Sequence, residues 1–487
     1  MVNSAARKLE KEPIEIVEVP KDDINWSSVS LSDVLVKGKR LEASVFDVEC
    51  KHARDLVKKS IYGYTEIDID KDLIDCYTRP RFKRIWLDKS EYPIYQPTSM
   101  LDIYPKNDGY ISKLTETNIE SLRVLEGQVL ITCSGNIGRV GFVSETLNGK
   151  IFSHDLLRIR FKSDYDNGYF YTFLKTSVGR SILKSNKYGS VISHIEAEHI
   201  NEVLLPKAPL NLKKTIHDLI LQSYARRDES NKRIDEAIKM MIDKLDLPPI
   251  EELKREAFSY SQEINSFSTK LSELNGRLEG NYHLPLIEVI ERYLNNKATL
   301  IKLNNEEISE KIILPGRFKR VYVEKSNGKA FLGGKEIGQL DPCGKKFLSM
   351  IHYSDKLISD ITIRKNDILV TRSGTVGKIM MAPKHWENWT SSDHVIRILS
   401  KGLYHGLIFT WLSSEYGKEL IKRQIYGSVV DEITDEQLGE VVIPIFRDDK
   451  INMSISSLID EANELRYQAY KQEQEAINIM NKEVLGL

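Results

Sequence analysis

Two clusters of basic residues, each with an embedded phenylalanine, contain the densest positive charge in their parts of the chain. Their cationic residues are Arg79, Arg81, Lys83 and Arg84 in the first cluster and Arg317, Lys319 and Arg320 in the second. Arginine and lysine replace the counterions that condense on a nucleic-acid backbone, so such a cluster suits contact with phosphates. It would equally suit a solvated strand edge that charge protects from aggregation. Recurrence in two places favours the nucleic-acid interpretation.

A glycine-rich motif also occurs twice, with cations beside it. Its copies are ITCSGNIGRVGFV (131–143) and LVTRSGTVGKIMMA (369–382). Each copy predicts a strand, a tight turn with glycines at positive φ, and a second strand. Such a turn lets the backbone approach a partner and donate N–H groups, and the flanking cations would suit phosphate. The residues assigned to this contact are Ser134, Asn136, Arg139, Arg372, Ser373, Thr375 and Lys378.

A third recurring motif is the tetrapeptide YGSV, at 188–191 and again at 426–429. It is equally typical of a structural turn and of a contact loop. The candidate contact residues are Tyr188, Ser190, Tyr426 and Ser428.

Enzymatic interpretations find little support. The chain lacks a P-loop, a GxGxxG fingerprint that opens a helix, and the HExxH, GxSxG and EF-hand motifs. A histidine and an aspartate are adjacent in both copies, as His154-Asp155 and Asp393-His394, but in inverted order. No nearby cysteine, serine or third ligand completes a catalytic or metal site around them. We expect each pair to hydrogen-bond locally and shape a turn.

These motifs belong to a tandem repeat. Four blocks recur in the same order at nearly constant offsets of 237, 236, 239 and 238 residues, beginning with RLEA and RLEG. A collinear series at one offset does not arise by chance. Between the blocks the two copies diverge strongly, so two similar scaffolds with different surfaces should bind two different targets of similar geometry.

The elements that must position the motifs can be read from residue periodicity. Short β-branched runs such as QVLITCSG and LLRIRF predict strands, and 168–185 and 406–423 each predict a helix after them. Two longer amphipathic helices are predicted over 212–245 and 451–484, packed antiparallel as a spacer, with the polar stretch 226–233 as a solvated mid-section. The alternative is that each long helix caps its own domain. The predicted fold class is α/β (α+β), with two tandem β-rich heads joined by a pair of long antiparallel helices.

Composition sets the outer limits of these interpretations. The 487 residues include 70 Lys plus Arg and 71 Asp plus Glu, for a net charge of −1, which excludes a uniformly basic protein but permits basic patches. The four cysteines lie far apart, which favours a reducing, cytoplasmic setting without disulfides. No apolar run approaches the roughly 18 residues that span a membrane, and the N-terminus lacks the apolar core of a signal peptide.

The doubled order of blocks resembles the specificity subunit of type I restriction–modification systems. The likeness is carried by RLEA and RLEG, the two glycine hairpins, the YGSV turns, and the exits LLPKAP and VIPIF into long helices. It extends from about Trp26 to the C-terminus. It implies two target-recognition domains, each of which reads one half of a gapped site in double-stranded DNA, while the paired helices set the gap.

The resemblance also implies partners and a domain organisation. The partners are two methyltransferase subunits and ATP-driven restriction/translocase subunits; S-adenosylmethionine, ATP and Mg²⁺ are expected on those subunits, and no cofactor, metal or catalytic residue is expected in this chain. The expected domains are a tail (1–25), target-recognition domain 1 (26–209), helical spacer 1 with a linker (210–266), target-recognition domain 2 (267–446) and helical spacer 2 (447–487).

Two alternatives stay open at this point. The region 246–276 is longer than a minimal member of the family needs, so a type IIB-like or methylation-only system is possible. A bivalent protein-interaction scaffold that binds no nucleic acid is the alternative from a different class. The sequence predicts that neutralising Arg317, Lys319 and Arg320 together weakens DNA binding at all sequences and flattens its dependence on salt.

Overall fold

The computed structural model describes residues 29–36, 46–185, 194–258, 267–274, 276–427 and 429–487. Within these residues, two heads rich in β-structure are joined by two long helices. The predicted fold class is therefore confirmed.

The first head is built from short strands and helices that precede the first long helix. Its strands are β1 (Tyr64–Glu66), β2 (Leu73–Tyr77), β3 (Trp86–Leu87), β4 (Pro93–Tyr95), β5 (Gly109–Ile111), β6 (Val129–Thr132), β7 (Val140–Phe142), β8 (Ile151–Phe152), β9 (Leu156–Phe161) and β10 (Leu204–Pro206). The helices are α1 (Leu31–Val36), α2 (Val48–Lys58), α3 (Ile69–Asp72), α4 (Asp164–Lys175) and α5 (Ser177–Ser185). They lead into the long helix α6 (Leu210–Leu245).

The second head repeats this plan and ends in the second long helix. Its helices are α7 (Ile250–Ala257), α8 (Pro285–Asn295), α9 (Asp355–Ile361), α10 (Tyr404–Ser413), α11 (Glu415–Gln424), α12 (Asp435–Gly439) and the long α13 (Asp449–Ile479), which continues as a π-helical turn over Met480–Leu485. Its strands are β11 (Thr299–Lys302), β12 (Ser309–Ile313), β13 (Tyr322–Val323), β14 (Lys329–Leu332), β15 (Lys346–Leu348), β16 (Ile368–Thr371), β17 (Ile379–Met381), β18 (Thr390–Ser391), β19 (Val395–Ser400) and β20 (Val442–Ile445).

The two heads share one sheet topology. The first has sheets of order β1-β10, β2-β9-β6-β7 and β3-β5-β4-β8, and the second has β11-β20, β12-β19-β16-β17 and β13-β15-β14-β18. In each head one pair is parallel, β4 with β8 and β14 with β18, and the other pairs are antiparallel. The matching order agrees with the repeat seen in the sequence.

The long helices α6 and α13 pack side by side in opposite directions. Near the middle of α6, the hydroxyl of Ser223 donates to the backbone oxygen of Ala469 on α13 at 2.7 Å. Arg233, ten residues later on α6, lies 3.5 Å from Glu461, eight residues earlier on α13. The start of α6 and the end of α13 contribute to the core of the first head, and the opposite ends contribute to the core of the second. Each helix therefore belongs to both heads.

The polar stretch 226–233 is not the solvated mid-section that the sequence predicted. Asp228, Ser230 and Asn231 are buried. Asp228 accepts hydrogen bonds from the hydroxyl of Ser144 at 2.9 Å and the backbone N–H of Thr146 at 3.2 Å. The first head covers this side of α6, so its polar groups are paired inside the protein instead of facing water.

The single helices predicted over 168–185 and 406–423, after β9 and β19, are each divided in two. Thr176 separates α4 from α5, and Ser414 separates α10 from α11, both with extended backbone. Each side chain caps the second helix by accepting a hydrogen bond from a backbone N–H three residues on, Gly179 at 3.0 Å and Gly417 at 3.1 Å. The corner brings each glycine against the preceding helix, where a Cβ would overlap a backbone oxygen. Periodicity alone does not reveal such a corner, since α4 and α5 are separately helical.

One glycine lets α10 lie directly against α13. A Cβ on Gly406 would be 2.5 Å from the Cα of Ser456, a backbone atom that cannot move aside. We expect Gly406→Ala to destabilise the protein by a net of about 1–2 kcal/mol. The steric overlap of the new Cβ destabilises the folded state by more than the higher helix propensity of alanine stabilises it. The midpoint of urea unfolding measures this. Gly280→Ala, where a Cβ would meet nothing within 4 Å, is the matched control, and an equal effect of the two variants would contradict the prediction.

Candidate nucleic-acid interface

The two glycine motifs form the hairpins that the sequence predicted. In the first, between β6 and β7, the Thr132 hydroxyl donates to the backbone oxygen of Asn136 at 2.5 Å. In the second, between β16 and β17, Thr371 makes the same contact with Thr375 at 2.5 Å. The glycines of both turns have φ between 65° and 80°. A side-chain hydrogen bond thus closes each turn in the same way.

The basic clusters divide into cations that face solvent and cations that pack against a head. Arg81, Lys83, Arg317 and Lys319 are exposed. Unlike Arg320, which pairs with Asp393, none of these four forms an ion pair with a carboxylate in the described part of the chain. They are the cations of the clusters that are available to an outside anion.

The other cations of the first cluster are held by the head itself. Arg79 donates from Nε to the backbone oxygen of Ser121 at 2.8 Å and lies over the ring of Tyr77. Arg84 lies 5.6 Å from the ring centre of Phe82 and 5.9 Å from that of Trp86. Arg79 and Arg84 therefore bind groups of the first head itself.

Two cations beside the second hairpin also have partners. Arg372 pairs with Glu432 at 2.8 Å. Lys378 pairs with Asp102 of the first head at 2.8 Å, and the neighbouring backbone N–H of Ile103 donates to a backbone oxygen of the second head at 2.9 Å. Lys378 therefore links the two heads. Its assignment as a phosphate contact stays a prediction, and a phosphate there would compete with Asp102.

A cleft of about 1350 Å³ lies between the heads and alongside α6. Six of the sequence-predicted residues line it: Asn136, Arg139, Arg320, Ser373, Thr375 and Lys378. The structure thus brings the hairpins of both heads to one cavity. The remaining predicted residues that the structure describes do not line it: Arg79, Arg81, Lys83, Arg84, Ser134, Arg317, Lys319, Arg372 and Tyr426.

Lys106, Lys418 and Arg466 are among the cations of the cleft wall that the sequence did not reveal. Desolvation lowers the pKa of Lys106 to about 7, and repulsion from Lys418 and Lys378 adds to the lowering. Burial lowers the pKa of Arg466, on α13, to about 10. Arg466 donates to the Ser230 hydroxyl at 3.4 Å and has no carboxylate partner among the described residues. These residues are isolated in sequence, so no local pattern marks them.

The YGSV turns are described only in part. Tyr188, Ser190 and Ser428 lie outside the described residues. Tyr426 exchanges two backbone hydrogen bonds with Glu432, at 2.9 and 2.8 Å. This pairing anchors the second turn beside Arg372, whatever the turn contacts.

The histidine–aspartate pairs differ between the heads. His154 lies 3.3 Å from Asp155. Nδ1 of His394 forms a hydrogen bond of 2.7 Å with the hydroxyl of Ser373. The sequence predicted no serine near this pair, and that expectation is wrong for the second head. Nε2 of His394 and Asp393 are 3.9 Å apart, too far for a hydrogen bond. The group therefore does not form the connected relay that nucleophilic catalysis needs.

Two further properties concern metals and membranes. Among the described residues, no three His, Cys, Asp or Glu side chains group closely enough to hold a metal ion. No described helix is long and apolar enough to cross a membrane.

Comparisons with known proteins relate the chain to DNA-specificity proteins. The family model for a type I restriction modification DNA specificity domain matches residues 71–240, which are 170 of the 487 residues. Among curated proteins, no sequence matches the chain.

Solved structures with similarity to the chain include an S subunit and an HsdS subunit. The type I restriction-modification S subunit from M. genitalium shares 14% identity, with 88% of this chain and 96% of that chain covered and a TM-score of 0.29. The HsdS subunit from Thermoanaerobacter tengcongensis shares 13% identity, with 84% and 95% covered and a TM-score of 0.25. Over residues 71–240, the matched DNA specificity domain confirms the resemblance that the sequence predicted.

Proposed function

We propose that this chain is the non-catalytic specificity subunit of a type I restriction–modification complex, and that each head reads one half of a bipartite, gapped DNA site. The observation that carries the proposal is the doubled head. A DNA specificity domain matches the first head, and the second repeats its strand order at the other end of the same helices. Two similar readers with different surface loops suit two different half-sites.

The long helices would set the gap between the half-sites. The 36 residues of α6 make a rod of about 54 Å at 1.5 Å per residue. Because the ends of α6 and α13 lie in the cores of both heads, the heads cannot slide along them independently. We therefore expect one fixed gap length. The same helices would offer the docking surfaces for two methyltransferase subunits and, through them, for restriction subunits.

The proposal is tested by selection from a library of random DNA duplexes. The full chain, copurified with its methyltransferase subunits, should enrich two short motifs at one constant spacing. Mapping of methylated adenines in cells that express the same complex should give the same two motifs. Absence of enrichment over the starting library, together with unchanged methylation when the chain is removed, would overturn the proposal and favour a protein-interaction scaffold.

A further inference from the structure

Each head exposes a large aliphatic side chain at the same point of one sheet, β3-β5-β4-β8 in the first head and β13-β15-β14-β18 in the second. Leu114 is 78% exposed and Ile351 is 82% exposed. Leu114 follows the end of β5 by three residues, and Ile351 follows the end of β15, the equivalent strand, by three residues. Single exposed aliphatic residues are common on protein surfaces, but these two recur at one structural position inside otherwise divergent segments.

The turn that carries the aliphatic residue has the same construction in both heads. In the first, the hydroxyl of buried Ser112 accepts from the backbone N–H of Leu114 at 3.1 Å. In the second, buried Ser349 accepts from the N–H of Ile351 at 3.5 Å. A serine hydroxyl that accepts from the N–H two residues on fixes a local turn. In both heads, the backbone N–H of the aliphatic residue thus faces a buried serine hydroxyl.

This turn is attached to the basic cluster of its head. The N–H of Ser112 donates at 2.8 Å to the backbone oxygen of Ile85, which directly follows Arg84. The N–H of Ser349 donates at 2.9 Å to Val321, which directly follows Arg320. In each head, one backbone hydrogen bond therefore joins the end of the basic cluster to the serine two residues before the aliphatic residue, and we expect DNA that binds the exposed cations to pass near this residue.

An aromatic ring completes the surface on the first residue of the adjacent edge strand. Trp86 begins β3 and is 49% exposed, while Tyr322 begins β13 and is 40% exposed. A surface that combines exposed cations, an aromatic ring and an outward aliphatic group suits the DNA duplex. Proteins that deform DNA insert such aliphatic side chains between base pairs and partly unstack them.

We propose that Leu114 and Ile351 are wedges, one for each half-site, which the heads insert between neighbouring base pairs of bound DNA. This inference rests on the proposed function and adds a means of reading DNA by its deformability. The aromatic ring would cover the unstacked base, and the exposed cations would hold the phosphates on either side. Specificity would then depend partly on how easily the wedged step opens.

The test uses 2-aminopurine, a fluorescent adenine analogue whose emission rises when it is unstacked. It is placed in turn at each adenine of either strand of the selected duplex, except the methylated adenines. We expect the wild-type complex to raise emission at one step in each half-site. Leu114→Ser should abolish the rise in one half-site only, and Ile351→Ser in the other. Leu210→Ser, which replaces a leucine that is 65% exposed on α6, is the control and should change neither.

The affinity of the wedge variants for DNA distinguishes insertion between base pairs from an ordinary surface contact. The wedge variants lose contacts but also avoid the cost of unstacking, so affinity should stay within about threefold and its salt dependence should not change. A wild-type complex that binds its site without raising emission, or variants that keep the rise, would overturn the wedge and leave the proposed function intact. Loss of copurifying methyltransferase from the variants, with the rise retained, would assign the two residues to protein docking instead. Failure to bind any sequence would overturn the proposed function itself.

Discussion

Replacing Glu473 with glutamine should destabilise the protein by about 3–5 kcal/mol, because it removes a buried carboxylate that contacts two cations. The side chain of Glu473 is 1% exposed and lies on α13. It is 2.7 Å from Arg227 on α6 and 3.2 Å from Lys175 on α4. The hydroxyl of Tyr171 also donates to it, at 2.5 Å. Glutamine would leave Arg227 and Lys175 without the carboxylate that contacts both of them.

The same group predicts a loss of stability in acid. Burial alone would raise the pKa of Glu473, but Lys175 and Arg227 outweigh burial and lower the pKa to about 2. A carboxyl whose pKa is lower in the folded state stabilises the protein above its unfolded pKa of about 4.3, and that contribution is lost as the pH falls from there towards 2. The loss over this range should be smaller in Glu473→Gln than in the wild type.

Urea unfolding at neutral pH and at pH values between the two pKa values measures both effects. Glu475→Gln, at an exposed position two residues along α13, is the matched control and should behave as the wild type. Arg227→Met combined with Glu473→Gln should lose less stability than the sum of the two single variants, since the contact between Arg227 and Glu473 is lost in each single variant and only once in the double variant. Additive losses would contradict the assignment of Glu473 to a charge network.

This network marks the limit of what the sequence could predict. The helices, the hairpins and the repeat follow from local periodicity, turn residues and internal similarity, which the chain carries within short windows. Glu473 and Arg227 lie 246 residues apart, and nothing near Arg227 distinguishes a buried arginine from a solvated one. The solvated mid-section was therefore a natural but wrong interpretation of a polar stretch.

For the candidate interface, the sequence identified the basic residues but not the groups that they contact in the fold. The types and repetition of the basic residues identified both clusters, and the structure leaves Arg81, Lys83, Arg317 and Lys319 exposed. What the sequence could not supply is the neighbour of each cation. The pairing of Lys378 with Asp102 joins residues 276 positions apart and links the two heads, while the assignment of Lys378 to a phosphate contact stays a prediction.

The second basic cluster contains both exposed cations and a cation that forms an ion pair. Neutralising Arg317, Lys319 and Arg320 together would confuse two effects, because Arg320 pairs with Asp393, whose side chain is only 8% exposed. Removing Arg320 would leave the mostly buried carboxylate of Asp393 without its cation and would destabilise the second head. The double variant Arg317→Gln/Lys319→Gln removes only exposed charge, so it tests binding alone.

We expect this double variant to weaken DNA binding by about ten- to a hundredfold at about 0.1 M salt, since each lost phosphate contact forfeits the release of condensed counterions. The slope of log affinity against log salt concentration should become shallower by about 2. Because phosphate contacts carry no sequence information, specific and unrelated duplexes should lose affinity in similar proportion. Fluorescence anisotropy titrations at several salt concentrations measure both quantities.

The control must change net charge equally without touching the cluster. Lys401→Gln/Lys450→Gln does so at exposed positions, just beyond β19 and in the first turn of α13. If general electrostatic attraction were responsible, both double variants would flatten the salt dependence alike, and the cluster would have no special role. If Arg317 and Lys319 contact phosphates directly, only their loss reduces the slope by the amount that two contacts require, because counterion release counts contacts and not net charge.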